Sequence, residues 1–118
     1  MIFEEYLSRE DIFLLQSCNK EVQEDNSSYD ILNYKVDKPW GYESVVFHDE
    51  NCAIWNLFIK NGESTSFHCH PKKRTVVAVT EGVIECKLSK RVIILTPSDI
   101  LILDMGVFHS SKCISDNG

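Results

Sequence analysis

The chain has 118 residues and a mass of 13.6 kDa, enough for one domain with one modest core. Apolar residues make up 43% and charged residues 25%, the balance of a folded globular chain and not of a disordered one. Twelve basic residues against eighteen acidic ones leave a net charge of −6, which excludes a diffuse nucleic-acid-binding surface, because phosphate recognition needs a basic stripe. No apolar run approaches a membrane span, and the first eleven residues carry no basic region ahead of an apolar one. Neither a membrane segment nor a signal peptide is expected, and cytoplasmic residence follows. The five cysteines (Cys18, Cys52, Cys69, Cys86 and Cys113) are odd in number and show no CxxC spacing, so they read as reduced, mostly buried thiols.

In chain order, Ser8 can cap a helix, with Asp11 three residues on as its reciprocal partner. Ile12, Leu15, Cys18 and Val22 recur at the spacing of one helix face, which predicts a helix over 9–23 whose apolar stripe covers a sheet or a partner subunit. Residues 24–30 read as a polar linker. The N-terminal helix and linker (1–33) precede a region, 34–118, patterned with period two. Strands are expected over 42–47, 52–59, 64–70, 75–80, 83–88, 91–95, 100–103 and 107–111. The turns between them are marked by Asn61-Gly62, Glu81-Gly82 and Thr96-Pro97-Ser98-Asp99, among others. Short strands at this spacing indicate an antiparallel sandwich or barrel. Val76, Val77, Val79 and the run from Val92 to Leu95 suit strands buried on both faces, and Asp37 ahead of Lys38-Pro39 reads as a turn residue.

Three histidines carry the chemistry. On a strand, His68 and His70 project from one face while Cys69 points to the other, so two imidazoles can share one metal ion at about 2.0–2.1 Å. His109, after the Asp104-Met105-Gly106 turn, is the third candidate, because a return strand of a small barrel can bring it opposite the pair. The competing reading makes each histidine a hydrogen-bonded polar residue of a half-buried strand. His48, beside Asp49 and Glu50, reads as a surface residue. Lys72, Lys73 and Arg74 follow directly. They are either a solvated turn or a cationic cluster that holds a phosphate or carboxylate beside the metal, Arg74 in bidentate fashion. No glycine-rich phosphate loop and no Ser-His-Asp or Cys-His nucleophile arrangement is present.

The order Gly62, His68, His70 and Gly82, followed by Gly106 and His109, resembles the two motifs of the cupin family. Two positions depart from the second motif, where Ser98 and Asp104 stand in place of glycine and proline. One departs from the first, where Thr75 stands in place of the usual glutamate ligand. Glu63, Glu81 and Asp104 are the carboxylates near enough in sequence to replace it. Lys38-Pro39-Trp40-Gly41-Tyr42-Glu43, with Gly62-Glu63-Ser64, is similar to the cupin domain of the mannose-6-phosphate isomerase and mannose-1-phosphate guanylyltransferase group. Trp40 would equally serve as an apolar plug beside a turn glycine.

The resemblance implies an all-β fold, a small antiparallel β-barrel or jelly roll (cupin), preceded here by an N-terminal α-helix. It implies a divalent transition metal, with zinc, iron, nickel and copper as candidates for a neutral three-histidine set. It further implies a small anionic carbohydrate or metabolite as ligand, and an isomerase or epimerase of sugar phosphates in polysaccharide synthesis. Two other readings stand beside it: a non-catalytic metabolite-binding module, and a three-histidine iron dioxygenase. Family members usually continue past the second histidine motif, so the barrel is expected to be C-terminally incomplete or completed by a second copy in a homodimer.

Overall fold

The computed structural model describes residues 1–17 and 35–115. The expected helix residues 18–23, the linker and the last three residues lie outside the described residues. The elements run β1 (Ile2–Glu5), α1 (Arg9–Ser17), β2 (Lys35–Lys38), β3 (Gly41–His48), β4 (Ala53–Ile59), β5 (Thr75–Ala78), β6 (Ile84–Leu88), β7 (Val92–Leu95), β8 (Ile100–Leu103) and β9 (His109–Cys113). They form three three-stranded sheets in the orders β1-β8-β5, β2-β3-β4 and β7-β6-β9. All pairs are antiparallel except β1 with β8. Among the described residues the chain is an all-β jelly roll with one short helix, and no helix is long and apolar enough to cross a membrane.

The core sits between the sheets. Ile84, Cys86 and Leu88 of β6, Ile93 and Leu95 of β7, Leu101 and Leu103 of β8, and Cys113 of β9 alternate inward and are buried, as period-two strands require. Trp40 and Phe3 pack against this cluster. The expected two-sided burial does not hold. Val76, Val92 and Ile94 are 63%, 52% and 46% exposed, because each sheet turns only one face to the core. Cys69, Cys86 and Cys113 are buried free thiols and Cys52 is an exposed one. Burial pushes the Cys86 thiol up to about 11, with the nearby Glu5 charge adding to the effect against a hydrogen bond from Ser111.

Two strands were not anticipated. β1 pairs in parallel with β8, Ile2 opposite Ile100, so the chain begins with a sheet strand ahead of the helix. β2 pairs with β3 and contains Asp37, which is therefore a strand residue opposite Tyr42.

The helix N-terminus is a reciprocal cap. Asp11 NH donates to Ser8 Oγ at 3.2 Å, and Ser8 NH donates to Asp11 Oδ2 at 3.0 Å. The buried face differs from the expected stripe. Ile12 is 42% exposed, Asp11 is fully buried, and Leu15 lies against the Gly106 backbone. The capping carboxylate, not Ile12, faces the barrel.

Ser98 stands where the resembling motif has glycine, and its φ is +87°. A side chain in this left-handed region costs about 1 kcal/mol. Ser98→Gly is therefore expected to raise the stability by roughly 0.5–1 kcal/mol, the relief being partly offset by the greater freedom of glycine in the unfolded chain. A denaturation midpoint at or below the wild-type value would contradict this.

Candidate metal centre

Residues 61–68 run beside β9 without forming a regular strand, contrary to the strand expected over 64–70. Bridges join Ser64 to Lys112 and His68 to His109. Four residue steps from Ser64 to His68 face three from Lys112 to His109, so one extra residue is held on the histidine side, as in a β-bulge. β9 is therefore flanked on both sides, by β6 and by this segment.

The bulge aligns the histidines. His68 NH donates to His109 O at 3.0 Å and His109 NH donates to His68 O at 2.8 Å, a directly opposed pair whose side chains share a face. His70 follows two residues after His68, and Gly106 NH donates to its carbonyl at 3.0 Å. The ring centroids lie 4.6 Å apart for His68 and His109, 5.0 Å for His68 and His70, and 5.5 Å for His70 and His109. One nitrogen from each ring lies within 4.8 Å of the other two. A metal at 2.0–2.1 Å from each needs nitrogens about 3.4 Å apart, a closure that modest ring rotations supply.

Two rings have a fixed orientation. His68 Nδ1 lies 2.7 Å from Ser66 O, and His109 Nδ1 lies 3.1 Å from Val107 O. A carbonyl only accepts, so each Nδ1 carries the proton and leaves the Nε2 lone pair available as a ligand. These carbonyls, each two residues before its histidine, were invisible to side-chain reasoning, since a backbone acceptor leaves no mark in the sequence.

His109 is 6% exposed. Burial pushes its imidazole down to about 4; the neighbouring His68 and His70 lower it further, and the Val107 carbonyl opposes the shift. At neutral pH His109 is therefore an uncharged donor. The unfolded chain takes up this proton near pH 6.5, whereas the folded chain does so near pH 4. The metal-free protein is thus penalised as pH falls from about 6.5 to about 4 by up to roughly 3 kcal/mol, and the penalty is absent above pH 7. Urea unfolding of wild type and His109→Phe across this range checks it: the variant should show a flatter profile.

Thr75 opens β5 opposite the inward-facing Leu103, half-buried. The carboxylates considered as substitutes lie elsewhere. Glu63 and Glu81 are exposed, and Asp104 caps its own turn by accepting from Met105 NH at 2.8 Å. Among the described residues, the convergent group consists of the three histidines alone. Lys72, Lys73 and Arg74 are exposed on the turn between His70 and β5. His48 ends β3, half-buried. A cavity of about 520 Å³ opens between α1 and Phe67, Lys87 and Ser89, and none of the three histidines lines it.

The fold is of the cupin type, and His68, His70 and His109 converge within it as a group that could hold a metal ion. Solved structures show the same fold. KdgF from a Halomonas species superposes with a TM-score of 0.66 at 18% identity, covering 72% of this chain and 81% of that one. An RmlC-like cupin from Shewanella frigidimarina gives 0.65 at 18% identity, covering 82% and 86%. A conserved protein of unknown function from Streptococcus pyogenes gives 0.56 at 11% identity, covering 81% and 84%. No protein-family model and no curated protein matches the sequence.

Proposed function

We propose that this chain is a metal-binding cupin that acts on or binds a small anionic carbohydrate, such as a sugar phosphate, with isomerase- or epimerase-like chemistry. The observation that carries the reading is the convergence of His68, His70 and His109 within 4.8 Å, with the tautomers of two of them held by backbone carbonyls. Three neutral imidazoles suit zinc, iron, nickel or copper and leave the charge of the ion uncompensated, which favours an anionic ligand in its open positions. Bound there, the ion would supply Lewis-acid polarisation of a carbonyl or enediolate oxygen. Lys72, Lys73 and Arg74 are the cations next along the chain and would hold the phosphate or carboxylate of the ligand.

A non-catalytic binding module is the second reading, favoured by Thr75 at the position of the usual glutamate and by the absence of any carboxylate from the convergent group among the described residues. The two readings part in one experiment. Purified protein is analysed for metal, then tested against hexose phosphates both for turnover and for a shift in melting temperature. Turnover by the metal-loaded chain supports the first; a melting shift without turnover supports the second. Failure to retain any transition metal removes the first.

A further inference from the structure

The loop that delivers His109 is anchored amide by amide. Gly106 NH donates to His70 O at 3.0 Å, Val107 NH to Asp104 O at 3.3 Å, and His109 NH to His68 O at 2.8 Å. Phe108 NH donates to a side chain, Asp11 Oδ1 at 3.0 Å, from a helix 97 residues earlier in the sequence. Asp11 has no exposed surface. Its Oδ2 accepts from Ser8 NH at 3.0 Å and Ser8 Oγ at 2.8 Å, and its Oδ1 accepts from Ser89 Oγ at 3.0 Å as well as from Phe108. Capping the helix uses only Oδ2, so Oδ1 is left to a different task.

Phe108 NH and Val107 C=O belong to one rigid peptide plane. Asp11 holds the NH end of that plane, and the C=O end accepts the proton on His109 Nδ1 at 3.1 Å. A carboxylate on the amide hydrogen polarises the peptide and strengthens the bond its oxygen accepts. We propose that Asp11 is a positioning residue for His109, acting through the Val107–Phe108 peptide to hold the ring with its Nε2 lone pair facing His68 and His70. The inference rests on the reading of the three histidines as metal ligands. It gives α1, which lies outside the resembling motifs, a part in the site.

The test compares Asp11→Asn with Ser8→Ala. Both weaken the cap, but only the first removes the carboxylate from Phe108 NH. Cobalt(II) affinity is measured by chelator competition, together with the cobalt absorption spectrum and the ¹⁵N shifts of the His109 ring in metal-free protein. Asp11→Asn is expected to weaken cobalt binding about tenfold, the lower end of the range for groups that orient a metal ligand, and to move the His109 ring shifts. Ser8→Ala should lower the melting temperature and leave affinity and ring shifts within about twofold and unchanged, respectively. Unaltered affinity and shifts in a folded Asp11→Asn protein, or equal losses in both variants, overturn the proposal. If Asp11→Asn does not fold, Asp11→Glu keeps the charge and the cap while moving the acceptor, and the same readouts and criteria apply. If the wild-type chain takes up no cobalt, the metal reading fails by itself. The ring shifts then decide whether Asp11 positions His109: shifts moved in the Asp11 variant alone support it, and shifts unmoved overturn it.

Discussion

His109→Ala is expected to abolish stoichiometric metal retention while leaving the jelly roll folded. Structural zinc binding provides on the order of 10–16 kcal/mol across four ligands, so losing one of three imidazoles should weaken affinity by roughly two to three orders of magnitude. His109 is the ligand to remove because it is the buried member of the set, already neutral, with its Nδ1 proton held by Val107 O. Its loss takes away a preorganised donor, whereas the half-buried His68 and His70 keep some access to water as a substitute partner. The His109 amide bonds to His68 survive an alanine, since they are backbone to backbone. Elemental analysis and competition titration read the effect, with His48→Ala, at the end of β3, as the control that should retain metal. Equal metal content in wild type and His109→Ala would falsify the assignment of the centre.

Gly41→Ala is expected to have the largest effect on folding. Gly41 has a φ of +152°, and a Cβ placed there would stand 1.9 Å from the Phe58 carbonyl oxygen and 2.9 Å from its carbon. These are backbone atoms of β4, so no side-chain rotation relieves the clash. Gly41 faces Lys38 of β2 and Ile59 of β4, and next to it Lys60 NH donates to Trp40 O at 2.8 Å. Opening this corner withdraws Ile59 and Trp40 from the core and shifts the start of the segment that carries His68. A destabilisation above about 3 kcal/mol is expected, which for a chain of this length lowers the melting temperature by on the order of 10 °C. Thermal and urea unfolding read it. A variant within about 0.5 kcal/mol of wild type would show that β3 and β4 can separate locally without cost to the core.

Much of the barrel was legible because one-sided burial writes period two into a sequence. β6, β7 and β8 lie within a residue or two of their expected positions, with Cys86, Leu95, Leu101 and Leu103 on the inner face. Where pattern alone had to choose a face, it failed. Val92 and Ile94 are as apolar as Ile93 and Leu95, and only the single-layer packing of the sheet turns them outward. β1 and β2, with the sequences IFEE and KVDK, are short, with two and three of their four residues charged. Their strand conformation comes from β8 and β3, which lie far away or across a turn that reads as a breaker. The segment before His68 alternates like a strand, yet its extra residue appears only when β9 is laid beside it.

The helix shows the same division. Ser8 and Asp11 announced its start, since a cap is a local arrangement of neighbours in sequence. That Asp11 would be buried and serve Phe108, while Ile12 faced solvent, depended on where the barrel lay.

The sequence by itself determined the strand-rich character, the helix start and the identity of the three imidazoles, because side-chain chemistry and short-range periodicity are properties of neighbouring residues. Only the tertiary structure decided which face each strand buries, how the bulge brings His68 opposite His109, and how Asp11 reaches the Phe108 amide. Those arrangements join segments about forty to a hundred residues apart, and a contact at that separation exists only once the chain has closed on itself.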